Sequence, residues 1–480
     1  MLQLNFKNEI YPYDVYHMTK AFLPGEEMEQ KICPDMLPVV EVSRDGVELF
    51  RIDEAEIEKY LDRKEKKHYV NQKLYKRLRE ITGEDLAWGI LTGIRPTKIM
   101  MTGLEEGMED DAILQKMKEY YLMTEEKARL GLAIAHREKA LLEKLDYRDG
   151  YSLYVGIPFC PTTCIYCSFT SYPLASWKKQ VEPYLEALLK EITAVAAHMG
   201  NKKLNTIYIG GGTPTTLSAT QLERLLTHLE QSFSYAHLLE FTVEAGRPDS
   251  ITKEKLEVLR RHPVTRISIN PQTMQQKTLD LIGRRHTVDD IRRVYHMARE
   301  LGFDNINMDL IAGLPGETPE DMEDTLREIR KLDPDNLTVH SLAIKRASRL
   351  KQMEELKRTA REEKQMAEHL KAMIDMASRY AGEMKMTPYY LYRQKNIAGN
   401  FENVGYAKVD KAGIYNILIM EEKQSIVACG AGASTKAVYP EDANPGGQNR
   451  IERAENVKDL KEYISRIDEM IERKGELLWH

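Results

Sequence analysis

Between Ser152 and Ile344 six short runs of strand character alternate with segments of helical periodicity. The strand-type runs are SLYVGI, LNTIYIG, LEFTVEA, VTRISIN, DNINMDLIAG and NLTVHSLAI. Between them lie LEALLKEITAVAAHM, LERLLTHLEQSF, KEKLEVLRR, DDIRRVYHMARELG and MEDTLREIRKL, with apolar residues at helical spacing. Strands separated by helices pair most economically side by side and in parallel, each connection making a right-handed crossover. An α/β fold built around such a sheet follows. In parallel barrels and open parallel sheets alike, ligands gather at the carboxyl ends of the strands, so residues there are the candidates for chemistry.

Directly after the first strand comes the stretch YVGIPFCPTTCIYC, which puts Cys160, Cys164 and Cys167 within eight residues. Each spacing lets the thiolates converge on one metal centre. Three thiolates are one fewer than a closed zinc site or a simple four-iron cluster takes from protein. Either a fourth ligand lies elsewhere or one metal position stays open for a reacting molecule. The other two cysteines, Cys33 and Cys429, read as buried small apolar residues. Sparse cysteines, no run of eighteen apolar residues and an acid-bearing start without an apolar core (MLQLNFKNEIYPYD) lead to the expectation of a cytoplasmic chain without membrane insertion. The net charge of −6 argues against nucleic acid as a partner, as does the scatter of Lys and Arg among acids in KRLREITGEDL and ELKRTAREEKQM.

Further polar residues fall at the ends of the predicted strands. GGGTPT (Gly210–Thr215) follows the second, and a glycine run lets backbone approach a ligand closely. Glu244 ends the third strand, Gln272 follows the fourth, Asp309 lies in the fifth, and His340 to Ala343 close the sixth. A carboxylate beside ribose hydroxyls accepts both hydrogen bonds, which suits Glu244 and Asp309 to a ribose-bearing ligand. Arg284, after a short helix, is able to clamp a carboxylate with two hydrogen bonds. Arg247, Lys345, Arg346 and Arg349, at or just beyond strand ends, are further cations for an acidic substrate.

The flanks divide the chain into 1–149, 150–350 and 351–480. The first region begins with β-type runs (LQLNF, LPVVEVSR, GVELFRI), read as a small antiparallel unit, and turns helical from about 65. Its segment Trp88–Ile99 is rich in Gly and Pro and reads as a loop whose Arg95 and Lys98 either meet an acidic substrate or form part of a structural joint. The last region holds a long charged helix over 354–382, then TPYYLYRQKN, AGIYNILIM and QSIVACGAGASTKAVY, read as strands, and a final helix in VKDLKEYISRIDEMIER.

The Cys-x3-Cys-x2-Cys spacing with Tyr166 before the last cysteine resembles the signature of the radical S-adenosylmethionine superfamily. YVGIPFC, CIYC, YIGGGTPT, VEAGRPD, ISINPQTM, LIGRRHT, NMDLIAGLPGET, the NFENVGYA region and GAGAS, in that order, resemble the oxygen-independent coproporphyrinogen III oxidase group, in particular its coproporphyrinogen dehydrogenase branch. The resemblance covers about 150 to 440. It implies a partial (β/α)6 radical S-adenosylmethionine barrel, with an N-terminal α+β region and a C-terminal strand and helix extension. It also implies a [4Fe-4S] cluster on Cys160, Cys164 and Cys167, whose open iron takes S-adenosylmethionine and generates a 5′-deoxyadenosyl radical. Tyr154 and Tyr166 would pack around cluster and adenosyl group. Gly211, Gly212 and Thr213 would grip the methionine amino group, and Glu244, Gln272, Arg284, Asp309 and Ala343 would surround the cofactor. The implied reaction oxidatively decarboxylates two propionates of coproporphyrinogen III to vinyls, with an electron donor such as a flavodoxin or ferredoxin. Two departures accompany the match. Phe169 stands where the oxidases have a fourth cysteine, an ending closer to the haem-chaperone branch, and Asn403 or Val404 and Lys436 stand at positions that hold a second S-adenosylmethionine. One cofactor site is expected and the second is left open. A haem chaperone and a haem-modifying radical enzyme are the alternative readings.

Overall fold

The computed structural model describes residues 1–93, 95–345, 348–353, 360–394, 401–439 and 450–478. The chain forms two units: residues 1–136 with 354–372 and 391–403, and residues 137–353 with 373–390 and 404–480.

The larger sheet is mixed. Its strands are β1 (Gly150–Ile157), β2 (Lys203–Gly211), β3 (Glu240–Glu244), β4 (Arg266–Ser268), β5 (Ile306–Ala312), β6 (Asn336–Ser341), β7 (Thr387–Arg393), β8 (Glu402–Ala407), β9 (Ser425–Cys429), β10 (Ser434–Tyr439) and β11 (Arg450–Glu455). Across the sheet the order is β7-β8-β6-β5-β4-β3-β2-β1-β9-β10-β11. The pairs from β1 to β6 are all parallel, as the helix-separated strand pattern requires. Beside β1 lies β9, also parallel, with Ser425 opposite Tyr151 and Cys429 opposite Val155. Antiparallel β8 borders β6, and antiparallel β10 and β11 complete the other side, so the sheet stays open.

Sequence chemistry starts the crossover helices where the strands deliver them. Ser218, Thr287 and Thr318 each cap a helix, and in each case the third helical residue (Gln221, Asp290, Asp321) returns a bond to the cap backbone. These boxes satisfy orphan N–H groups beside the ligand edge of the sheet. The helix Val181–Met199 buries Tyr184, Leu185, Leu188, Ile192 and Val195, and with them Glu191.

AGIYNILIM corrects the sequence reading: Ile414–Glu421 is a helix, not a strand. The Glu240 carboxylate accepts from the Ile414 N–H at 2.6 Å and the Tyr415 N–H at 3.4 Å, which supplies a start signal from a remote strand. Ile417, Leu418 and Glu421 then face inward at helical spacing. The long charged helix is described over Ala360–Glu383, and 354–359 lie outside the described residues.

In the first unit, the strands Leu2–Phe6, Met28–Ile32, Pro38–Arg44 and Val47–Asp53 form a separate sheet. Leu2–Phe6 pairs in parallel with Met28–Ile32, so that sheet is not wholly antiparallel as its sequence suggested. The connection is the helix Pro12–Phe22, whose Val15, Met18 and Phe22 join a core with Leu2, Leu4, Val40, Leu74 and Leu78. Trp88, in the Gly- and Pro-rich segment, is 1% exposed and donates its indole N–H to Glu402 at 2.8 Å.

Candidate active site

The cluster and cofactor residues expected from the sequence, Tyr154 to Ala343, lie in the second unit on or just after β1–β6, whereas Arg95, Lys98 and Asn403 belong to the first unit. The cysteine loop leaves β1 through Pro158 and is pinned along its length. Cys160 sits in a short bridge-like strand, Phe159–Cys160, paired with Tyr172–Pro173. The Ile165 N–H donates to Ile282 O at 3.1 Å, Leu350 N–H to Ile165 O at 2.8 Å, and the Thr162 hydroxyl to Gly283 O at 2.8 Å. Beneath the loop, Ile165 packs with Ile282, Ile311, Leu314 and Leu350 in a small apolar cluster that Tyr166 and Leu342 border. Loops after three different strands thereby hold one another, which is how a loop acquires the rigidity that metal ligands need.

The glycine run lies against this loop. Gly212 N–H donates to Ile157 O at 2.8 Å and Thr213 N–H to Phe159 O at 2.7 Å. A Cβ on Gly212 would fall 2.7 Å from Phe159 O and 3.0 Å from Cys160 Sγ, a separation that only glycine permits. Gly211 takes φ +106°, and the Thr213 hydroxyl reaches Cys160 Sγ at 3.5 Å. Burial pushes the Cys160 thiol up to about 11, with the Thr213 hydroxyl pulling the other way, and burial raises Cys167 as well. In this environment a thiol needs a cation or a metal to ionise.

Two buried arginines flank Cys164. Arg247, 3% exposed, clasps Asp249 through two hydrogen bonds of 3.0 and 2.7 Å, and its Nη1 reaches Thr162 O at 3.0 Å and Cys164 Sγ at 3.6 Å. Its guanidinium is therefore directed at the cysteine loop, not at a substrate as its position in sequence suggested. Burial raises the Asp249 carboxyl, but His286, 3.6 Å away, and the hydrogen bonds from Arg247 more than offset that and leave it below the carboxylate range. Arg284, 5% exposed, donates to Asn270 O at 2.6 Å and lies beside Tyr166 and Cys164. Arg346 lies outside the described residues.

Five consecutive strands each contribute one polar residue to a second cluster: Tyr208 on β2, Glu244 on β3, Arg266 on β4, Asp309 on β5 and His340 on β6. Tyr208 donates its hydroxyl to Glu244. Burial pushes the Glu244 carboxyl up to about 7, against the hydrogen bond from Tyr208. Burial also raises Asp309, but His340, 3.9 Å away, and Asn307, at 2.7 Å, more than offset it and leave it lowered. The two carboxyls thus hold protons very differently at neutral pH. Tyr154 stacks with Tyr208 and Tyr415, at centroid distances of 6.2 and 6.5 Å. Gln272 has φ +68°, its backbone bridging Asp309 O and the Ile311 N–H. Such strain in a non-glycine residue persists only where surrounding structure enforces it. Ala343 is half-buried just beyond β6. Lys436 pairs with Glu422 at 2.9 Å.

Gln272 Oε1, Asn270 Oδ1 and Arg284 Nε are buried without a hydrogen-bond partner. Buried polar atoms are rarely left so, and these fit a polar ligand at the sheet edge. A separate cavity of about 300 Å³ is lined by Tyr154, Gly156, Gly211, Phe169, Ala431 and Lys458 among others. All three cysteines of the loop carry free thiols. Among the described residues no three His, Cys, Asp or Glu side chains form a site for a single metal ion. Free thiols, two adjacent guanidinium groups and a glycine too close to Cys160 for any side chain suit a multi-iron group with a polar cofactor beside it.

Residues 154–329 match the model of the Radical SAM superfamily. The oxygen-independent coproporphyrinogen-III oxidase-like protein HemZ of Bacillus subtilis is 43% identical over 399 residues, 82% of this chain and 77% of that protein. The chain belongs to the oxygen-independent coproporphyrinogen-III oxidase-like family of radical SAM proteins. Within that family's wider circle, heme chaperone HemW of Bacillus subtilis is 40% identical over 194 residues, 40% of this chain and half of HemW. Among solved structures, coproporphyrinogen III oxidase HemN from Escherichia coli superposes with a TM-score of 0.52 at 23% identity, over 69% of this chain and 73% of that one. That similarity shows a shared radical SAM fold.

Sequence reasoning did not single out Tyr208, Arg266 or Tyr415. Tyr208 carried a signal, since alternation along β2 puts it on the same face as Thr206 and Gly210. Tyr415 carried none, because its helix was not legible as a helix.

Proposed function

We propose that the chain holds a [4Fe-4S] cluster on Cys160, Cys164 and Cys167, with one S-adenosylmethionine at the carboxyl edge of β1–β6, and oxidatively decarboxylates coproporphyrinogen III propionates to vinyls, giving protoporphyrinogen IX. The observation that carries this is the pairing of a three-thiol loop with unsatisfied buried polar atoms at one sheet edge. When bound, these groups supply one-electron cleavage of a sulfonium and hydrogen-atom abstraction from substrate. The protein does the rest. Arg247 sets its guanidinium 3.6 Å from the Cys164 sulfur that would ligate the cluster. Gly211 and Gly212 open their backbone to an amino group, the Glu244 and Asp309 carboxyls accept ribose hydroxyls, and Gln272 and Arg284 offer an acceptor and a donor. The cavity of about 300 Å³ is at the lower bound for a small-ligand site and too small for a tetrapyrrole, so it suits part of the cofactor.

A second reading, haem delivery, is favoured by Phe169 in place of a fourth cysteine and by the match to heme chaperone HemW. Anaerobic incubation with dithionite and S-adenosylmethionine separates them. The enzyme forms 5′-deoxyadenosine in amounts that rise with coproporphyrinogen III, whereas a stable haem complex without such formation overturns the enzymatic reading.

A further inference from the structure

The sulfurs of the cysteine loop have unlike neighbours. Cys160 Sγ faces a neutral donor, the Thr213 hydroxyl at 3.5 Å, whereas Cys164 Sγ faces a charged one, Arg247 Nη1 at 3.6 Å. Arg247 is a fixed group. Its Nε and Nη2 donate to the two oxygens of Asp249 at 3.0 and 2.7 Å, and Nη1 donates to Thr162 O at 3.0 Å as well as to the sulfur. Four of the five guanidinium N–H groups are thereby committed inside the protein, and the bidentate edge is already taken by Asp249.

The backbone that carries the pair is held as firmly. Arg247 O accepts from the Ser250 N–H at 2.9 Å and from the Ser250 hydroxyl at 2.7 Å, and that hydroxyl lies 2.6 Å from Thr215 Oγ1 at the end of the glycine run. Behind Asp249 stands His286, its side chain wholly buried and its Nδ1 3.6 Å from the carboxylate. Because the Nε and Nη2 edge meets Asp249 while Nη1 meets the sulfur, the cation lies between the carboxylate and Cys164. The side chains of Arg247 and Asp249 are only 4% and 18% exposed, so water and salt screen the two charges poorly.

We infer that the Arg247–Asp249 pair sets the reduction potential of the metal group on the cysteine loop, Arg247 favouring the reduced state and Asp249 opposing it. The inference rests on the proposal that Cys160, Cys164 and Cys167 hold a [4Fe-4S] cluster. Reduction takes one electron from a donor such as dithionite, which is oxidised to sulfite, and leaves the cluster one charge more negative with its bonds to the thiolates kept. A cation hydrogen-bonded to a ligand sulfur stabilises that added charge, and a carboxylate on the far side of the cation counteracts it. A formally neutral pair thus keeps Cys164 hydrogen-bonded without leaving a whole positive charge beside the cluster. Arg247 acts through the sulfur and touches no substrate, so it is a positioning residue.

The test is a dye-mediated redox titration, followed by electron paramagnetic resonance, of the full-length protein reconstituted anaerobically and free of S-adenosylmethionine. Arg247→Gln is expected to lower the potential and Asp249→Asn to raise it, each changing the ratio of reduced to oxidised cluster at a fixed solution potential at least about tenfold, or about 59 mV for one electron. Arg247→Lys, which keeps the charge, should stay nearer the unaltered protein than Arg247→Gln does. Opposite signs are the signature, because a merely structural disturbance has no reason to move the potential up in one variant and down in the other. Shifts of the same sign, or none in either variant, overturn the inference. Should Arg247→Gln take up too little iron to titrate, Asp249→Asn and Arg247→Lys decide. Loss of iron from all three would make the pair a support of the loop and overturn the inference too. Absence of any one-electron-reducible cluster in the unaltered protein would instead sink the functional proposal, whereas a reducible cluster whose potential ignores both charges counts against the tuning alone.

Discussion

Glu244 shows how much a single site residue depends on its partners. It is placed in burial, hydrogen-bonded by Tyr208, and pushed from an ordinary 4.5 up to about 7. Because the folded state binds this proton more tightly than the unfolded chain does, the contribution of Glu244 to stability is fully present below pH 4.5 and is lost as pH rises through about 7. Two and a half units correspond to about 3 kcal/mol at most. Urea titrations of cofactor-free protein across this range should show the stability of the unaltered protein falling relative to that of Glu244→Gln, which is neutral throughout. S-adenosylmethionine affinity should also drop in that variant, since a carboxylate acceptor is lost. Gly212 makes a steric prediction. In Gly212→Ala the new methyl meets Phe159 O at 2.7 Å and Cys160 Sγ at 3.0 Å, so the cysteine loop must shift. The strain should cost about 1–3 kcal/mol and reduce iron content after anaerobic reconstitution, which colorimetric iron assay would detect. Retention of full iron content would mean that the loop yields more easily than its hydrogen bonds suggest.

The C-terminal helix Ile467–Leu478 reaches the candidate site's surroundings through one buried charge. Glu191 is wholly buried and accepts from the Tyr463 hydroxyl at 2.6 Å, the Asn456 amide and the Gly430 N–H at 2.8 Å each, and Lys474, itself 1% exposed. Glu191 thereby fixes Gly430, beside Ala431 of the cavity wall, while Tyr184, also on Val181–Met199, donates to Gly156 O and accepts from the Ala431 N–H. Removing one member of a buried pair leaves the other charge unpaired. Lys474→Met alone should therefore destabilise by about 3–5 kcal/mol, and Glu191→Gln together with Lys474→Met should recover a large part of it in urea denaturation. Equal loss in single and double variants would argue that packing, and not charge, dominates. Much at this scale was legible in sequence. Strand–helix alternation gave every one of β1 to β6, because local periodicity and burial agree there. The helix Ile414–Glu421 was not legible: its run of Ile and Leu fits either period, and its start signal, the Glu240 carboxylate, is distant in sequence. Likewise nothing local announces that Glu191, within a helix of ordinary charged pattern, is buried.

The two units draw on segments far apart in the chain, which limited what sequence could say about organisation. Residues 391–403 belong with 1–136, and within that first unit Glu402, its side chain fully buried, accepts from Trp88 and pairs with Lys127 at 2.7 Å. No pattern near Trp88 points to a partner more than three hundred residues away. A fragment of residues 1–136 lacks that carboxylate, so it should unfold at lower urea concentration than the same unit in the full chain, followed by hydrogen exchange at its helices. The cysteine loop and glycine run, by contrast, are contiguous motifs, and their chemistry was readable before any contact was known. No helix among the described residues is long and apolar enough to cross a membrane. The proposed function requires radical chemistry on a tetrapyrrole. Mass spectrometry of tetrapyrroles after anaerobic turnover with S-adenosylmethionine and dithionite tests it directly, with coproporphyrinogen III and haem supplied in separate reactions. The account predicts a product from coproporphyrinogen III lighter by carbon dioxide and two hydrogens for each propionate converted, and recovery of haem unchanged. Unaltered coproporphyrinogen III in the presence of an intact cluster, with haem bound or modified instead, would contradict it.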